Sequence, residues 1–380
     1  ADDAPGAPAR AAPQQLGREA AARPCFNGPN CYEAHFENQA VSGALPGKRA
    51  GMRAALHNSS GVVLVYGGMG PSGSLSDVHA YRVVERSWVH CATTGAAPSG
   101  RVAPSLALWE GGSQLLVFGG MDDLGFPEEL HSLSFEGSDV HSGESLVGHW
   151  SVVEVGSTRP SGRYGHTAVF DEASSTMLVF GGSDDHYQAL KELWRYDAAA
   201  QAWSLLLPSG AAPASRYYHA AAWGPAQEKM FVSGGITGGA DLPTEVLGDL
   251  WVYDARENSW RELVSSSAGV AAPARWSHSM VFMDTVQESL MVFGGMETVQ
   301  AAQSTSSLYG LTLATSAWEE LSWTGGMTQL DEHVAVWYPG LYNTTAHHHW
   351  DDHDCMVTFG GWEDKLSLSE RVTHMWFRPI

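Results

Sequence analysis

The chain has 380 residues, 44% hydrophobic and 10% aromatic, enough for a large core, and no run is apolar for long enough to cross a bilayer as a helix. A formal charge of −21 makes nucleic acid and anionic membrane poor partners. With 42 glycines the composition suits a β-rich chain with many turns.

Residues 1–24, ADDAPGAPARAAPQQLGREAAARP, are Ala/Pro-rich and cannot build a core, so they read as a linker or disordered tail. The first residue is Ala1 rather than Met, which reads as a processed chain or an excerpt of a longer one. In CFNGPNC a Gly-Pro turn separates Cys25 from Cys31, and the two can close a small disulfide loop in an oxidising compartment.

Beyond residue 49 one pattern returns. An apolar run stops at a glycine pair: Gly67-Gly68, Gly119-Gly120, Gly181-Gly182, Gly234-Gly235, Gly294-Gly295 and Gly360-Gly361. A tryptophan follows most pairs, at Trp88, Trp150, Trp203, Trp260 and Trp318. A period of 50 to 60 residues predicts repeat architecture. In the third unit RYGHTAVF (163–170), TMLVFGG (176–182), ELWRYD (192–197) and AWSLLL (202–207) read as four short strands of one antiparallel sheet, with the glycines where a strand ends in positive φ or meets another backbone. Such a sheet has two apolar faces and cannot bury both alone, whereas six arranged radially can. The expectation is an all-β, six-bladed β-propeller over 32–380, preceded by a tail at 1–31. Its blades are 49–96, 97–157, 158–210, 211–268, 269–326, and 327–380 with a strand from 32–42.

The Pro-x-x-Arg-x-x-His lead-in, the glycine pair and the Tyr-Asp…Trp ending together resemble the kelch family. They stand as Pro160, Arg163, His166; Pro213, Arg216, His219; and Pro273, Arg275, His278. The second unit has Pro98 and Arg101 without the His, and the last keeps His333 but has Leu330 in place of Arg. The resemblance implies a propeller closed by pairing its two chain ends. The spacing agrees: 88 to 119, 150 to 181 and 203 to 234 are each 31 residues, and 31 before Gly67 stands Phe36, in place of a sixth Trp. Closure of this kind removes an exposed sheet edge.

Candidate sites follow from this frame. Arg53, Arg101, Arg163, Arg216 and Arg275 begin inner strands and gather near one mouth of the channel, where they either grip acidic groups of a partner or serve structurally on nearby carbonyls and carboxylates. The loops after the glycine pairs vary most, so the expected partner rim adds Asp123, Asp185, Asp241, Glu245 and Glu297, with emphasis on 236–248 and 296–307. On the opposite rim the sequons at Asn58 and Asn343 are candidate glycosylation sites. In HHHWDDHDC, the side chains of His347, His349, His353, Asp351 and Asp354 are candidate ligands for a divalent metal, against the plainer reading of a solvated turn.

No phosphate loop, nucleophile elbow or His-Glu metalloprotease motif occurs. The iron motif of kelch nitrile specifiers is approached by Glu245, Asp249 and Tyr253, with Tyr where His is needed. The expectation is therefore a non-catalytic protein-interaction module without a cofactor, a subunit or domain of a larger assembly with protein partners. The alternative is a secreted carbohydrate-active or carbohydrate-binding propeller. The sequons and the cysteine pair point to an exported or luminal setting over a cytoplasmic or ciliary one.

Overall fold

A computed structural model describes residues 32–135, 146–239, 242–264, 269–271, 274–284, 288–299, 304–324, 329–339, 354–363, 367–369 and 371–379. The fold is all-β and propeller-like. The third unit is one antiparallel sheet of Thr167–Asp171, Thr176–Phe180, Leu193–Asp197 and Ala202–Leu206, in that order from the centre outward. The fourth and fifth units repeat it, starting from Ala220–Gly224 and Ser279–Met283. The first two units fuse into one larger sheet, because Cys91–Gly95 runs parallel to Leu146–Trp150.

The expected closing strand is present. Tyr32–Asn38 pairs antiparallel with Val372–Pro379, and Phe36 stands opposite Met375. That is the register in which Trp203 stands opposite Tyr196 and Trp260 opposite Tyr253.

Each hydrophobic core lies between two consecutive units rather than within one. Phe118 and Leu116 of the second unit pack with Met177, Tyr196 and Trp203 of the third. Phe180 and Leu178 pack in turn with Met230, Tyr253 and Trp260 of the fourth. Val334 and Phe359 of the last unit return to Tyr81 and Trp88 of the first. Burial of a Trp at such a seam accounts for about 3–5 kcal/mol by truncation.

The glycine pairs bind one unit to the next. Gly181 and Gly182 have φ of 64° and 102°, and a Cβ on Gly181 would lie 2.6 Å from the Arg216 carbonyl oxygen. Gly182 N–H donates to that carbonyl at 2.9 Å. The same bond runs from Gly68 to Arg101, Gly120 to Arg163, Gly235 to Arg275, Gly295 to Leu330 and Gly361 to Arg49, which brings the last unit back to the first.

A second circle of backbone bonds lies just inside. Ala103 donates to Gly51, Gly165 to Ala103, Tyr218 to Gly165, Ser277 to Tyr218, Glu332 to Ser277 and Gly51 to Glu332, at 2.7–3.1 Å. All of these residues hold left-handed backbone, with φ from 48° to 65°. This explains one departure from expectation. Residues 163–166 do not extend the inner strand, which starts at Thr167, because Gly165 turns the chain into the circle.

Candidate functional site

The recurring arginines are built into this ring. Arg101, Arg163, Arg216 and Arg275 are buried, and each donates Nη1–H to the carbonyl of its own unit's first paired glycine, at 2.9–3.2 Å. The first unit's member is Arg49, bonded to Gly67 at 3.1 Å, and not Arg53. The signal was available: Arg49 precedes Gly67 by 18 residues, as Arg101 precedes Gly119 and Arg163 precedes Gly181, whereas Arg53 precedes it by 14.

Carboxylates complete the buried guanidiniums. Asp249 accepts from both Nη1 and Nη2 of Arg216 at 2.7 Å and from Trp251 Nε1 at 2.7 Å. These bonds and the adjacent guanidinium outweigh burial and hold its carboxyl below the usual range. Glu192 serves Arg163 and Trp194 in the same way, Asp77 serves Arg49, and Glu297 lies 3.7 Å from Arg275. Arg275 also lies over the Tyr309 ring, 4.9 Å from its centroid. These arginines fix the loops of the rim from below.

Arg53 stands inside the channel. It is half-buried, donates Nη1–H to the Met52 carbonyl at 2.9 Å, and lines a cavity of ≈160 Å³ with Tyr218, Glu332, Ser277 and His278. Burial lowers its pKa, and the nearby Tyr218 and Glu332 raise it. His166, His219 and His278 sit beneath the circle, buried and held well below the ordinary histidine value, while burial brings His333 to about 3. Neutral imidazoles with Phe118, Phe180 and Phe293 edge-on at 5.1–5.5 Å are packing groups.

The most concentrated recognition chemistry at this end was not read from the sequence. Tyr187, Phe126, Tyr164, Tyr217, Tyr218 and Trp276 form a continuous arc of rings, with centroids 5.5–6.1 Å apart from neighbour to neighbour. Tyr164, Tyr217 and Trp276 each directly follow a recurring arginine and bridge to the residue after the glycine pair, which lifts them off the inner strand. That Arg-aromatic pair recurring in three units is the signal in the sequence. Tyr187 is 56% exposed, and Leu124 in the neighbouring loop is 96% exposed. Of the expected rim acids, Asp123, Asp185, Glu245 and Glu297 are exposed on the loops after the glycine pairs, and Asp241 lies outside the described residues. Within 236–248, Ile236–Gly239 pairs antiparallel with Leu242–Val246.

The other end of the channel opens into a cavity of ≈640 Å³ lined by Leu56, Leu108, Phe170, Trp223, Phe282 and Trp337. Asn58 is exposed there, its backbone N–H bonded to Glu110 Oε1 at 2.6 Å. Asn343, His347, His349, His353, Asp351, Cys25 and Cys31 lie outside the described residues. Asp354 is buried directly before Cys355–Phe359. Cys91 and Cys355 are buried, and neither forms a disulfide among the described residues. Among the described residues no helix is long and apolar enough to cross a membrane, and no group of metal-binding side chains occurs.

Radially packed four-stranded units, tied by glycine pairs and buried arginines, define a kelch-repeat β-propeller. A family model described as the KLHDC2/KLHL20/DRC7 Kelch-repeats domain matches residues 136–338, and the chain belongs to the kelch-repeat family. It is similar to Host cell factor 1 of Rattus norvegicus, 27% identical over 312 residues that cover 74% of this chain and 14% of that protein. It is also similar to Kelch domain-containing protein 10 of Bos taurus, 24% identical over 318 residues, 81% of this chain and 64% of that protein. Multiple epidermal growth factor-like domains protein 8 of Rattus norvegicus is 30% identical over 209 residues, 53% of this chain and 7% of that protein. The chain thus spans a small part of the first of these relatives and under two thirds of the second.

Proposed function

We propose that the chain is a six-bladed propeller with blades at 49–96, 97–157, 158–210, 211–268, 269–326 and 327–380 plus 32–42, acting as a non-catalytic protein-interaction module of a larger assembly. The circle of inter-unit bonds through Gly51, Ala103, Gly165, Tyr218, Ser277 and Glu332 supports that count. The partner docks on the end of the channel that carries the glycine-pair loops. The observation that carries this reading is the aromatic arc from Tyr187 to Trp276. Aromatic residues on a rigid frame are what interface hot spots are made of, and exposed acids at the periphery form a polar rim. The carbohydrate-active alternative gains no support from the relatives' descriptions.

The test is site-specific photo-crosslinking in the native assembly, with a benzophenone amino acid at Tyr187 in one protein and at Asn58 in another. Partner adducts at position 187 are expected. Adducts at position 58 alone would move docking to the other end. Tyr217→Ala combined with Tyr187→Ala should weaken the cross-linked partner's affinity by about 30-fold or more, the scale of one hot spot.

A further inference from the structure

The outer edges of the sheets are protected by a shared device with one exception. In most units the segment leading into the inner strand passes along the outer strand of the same sheet. Ala44 N–H donates to the Trp88 carbonyl, Ala96 to Trp150 and Val270 to Trp318, while Trp260 donates to Ser209, all at 2.9–3.0 Å. Trp323–Thr324 lies parallel to Ala34–His35 and covers the last sheet. A glycine marks the tightest approach: a Cβ on Gly43, Gly95, Gly210 or Gly269 would lie 2.1–2.5 Å from the carbonyl oxygen of the outer tryptophan. The covering segments share a chemistry, SGALP, TGAAP, SGAAP and AGVAAP, each followed within three residues by Arg.

The third sheet departs from this. Its lead-in reads VGSTRP, and a Cβ on Gly156 would meet nothing within 4 Å. Among the described residues no backbone group outside the sheet bonds Trp203 or Leu205 of the outer strand. The residues that follow are apolar and open, with Leu205 42% and Leu207 81% exposed. Among the described residues the carbonyl of Leu207 receives only Asn258 Nδ2, at 3.4 Å. An uncovered outer strand is a row of unpaired donors and acceptors, a template for another strand.

We propose that Ala202–Leu206 is a second docking site, taking an extended, basic, Gly/Ala/Pro-rich segment of another polypeptide that lies alongside it as the chain's own covers lie along the other sheets. The related outer edges show what such an edge holds. Charge fixes the rest: at −21, a second copy is repelled, and a segment carrying Arg is complementary. This site lies on the perimeter of the third sheet, and its failure would leave the reading of the aromatic arc intact.

The probe is a labelled peptide PSGAAPASR, the sequence of residues 208–216, titrated into the intact chain by fluorescence anisotropy and hydrogen exchange. Saturable binding is expected, with slowed amide exchange at Trp203 and Leu205. Leu205→Pro deletes an outward donor, and Leu205→Lys keeps the donor but places a charge on the edge, a variant that folds even where the proline does not. Each should weaken binding by about tenfold or more, while Tyr217→Ala leaves it unchanged. Absence of binding to the wild-type chain, or equal binding to Leu205→Lys, overturns the proposal. So does a dimer that Leu205→Lys dissolves, because the edge would then serve self-pairing.

Discussion

The two ends of the channel are built from the same inner strands, yet they carry opposite chemistry. At the glycine-pair end each strand is preceded by a left-handed residue and a buried histidine or its replacement, and in every unit but the last by an arginine, so the lining is polar and Arg53 stands in a cavity of ≈160 Å³. At the turn end the last inward residues are Leu56, Leu108, Phe170, Trp223, Phe282 and Trp337, and the cavity widens to ≈640 Å³. Two glutamates there are engaged by neighbouring turns: Glu172 accepts from the Glu110 and Gly111 backbones, and Glu110 from Asn58. Strand polarity explains the contrast. Every inner strand runs in the same direction, so one end collects the lead-in residues of all units and the other collects their turns. Any chemistry that recurs in the lead-in is multiplied at one mouth only.

The largest expected effect separates the ends by pH. His166, His219, His278 and His333 are held neutral by burial, with folded values far below the ordinary one. Below about pH 6.5 the unfolded chain binds protons that the folded chain refuses, so stability is full above that pH and is lost progressively as pH falls below it. His333, with a folded value of about 3, removes about 2 kcal/mol by pH 5, and His166, His219 and His278 act in the same direction. Asp249 and Glu192, whose folded values are lowered, lose their contribution only as pH falls below the ordinary carboxylate range, so the window from pH 6.5 to 5 belongs to the histidines. Urea midpoints at pH 7.5 and 5 should differ strongly, and His333→Asn should remove about 2 kcal/mol of the difference. A flat profile across that window would mean that the histidines are solvated and the loop end is looser than described.

A smaller effect tests whether the ends differ in function as well as chemistry. Trp223 lines the wide cavity and packs against the core shared by the third and fourth units. Because it is half-buried, Trp223→Ala should cost about 2 kcal/mol, less than a fully buried Trp. Partner affinity should stay within about twofold once measured on folded protein, while Tyr217→Ala shows the reverse pattern. Loss of affinity in Trp223→Ala with Tyr217→Ala unaffected would exchange the roles of the two ends.

Most of the frame was legible in the sequence because its periods are local. The strands expected at 192–197 and 202–207 are Leu193–Asp197 and Ala202–Leu206, and Phe36 takes the register place of the missing Trp. What escaped were contacts made between units. Tyr164 meets Tyr217 and Tyr218 only because the circle of backbone bonds brings residues about fifty apart in sequence side by side. Arg53 stood where an inner strand begins, but the arginine that matters for the loop is defined by its distance to the glycine pair, and that is Arg49. The bare third edge was hidden because Gly156 preserves the glycine of the other lead-ins while its surroundings do not preserve the contact.

The smallest effect concerns the circle itself. Ala103 is fully buried and holds φ of 48°, in the place that Gly51 and Gly165 fill in the neighbouring positions. A left-handed conformation costs an L-residue about 1–2 kcal/mol, which glycine avoids, and glycine adds about 0.5–1 kcal/mol of unfolded-chain entropy in return. The difference favours glycine. Ala103 N–H and C=O both belong to the circle, bonded to Gly51 and Gly165, so the substitution leaves every backbone bond in place. Ala103→Gly should therefore raise the urea-derived stability by up to about 1 kcal/mol with no change in partner affinity. A loss of 1 kcal/mol or more would instead show that the alanine methyl packs at the channel wall strongly enough to outweigh its backbone strain.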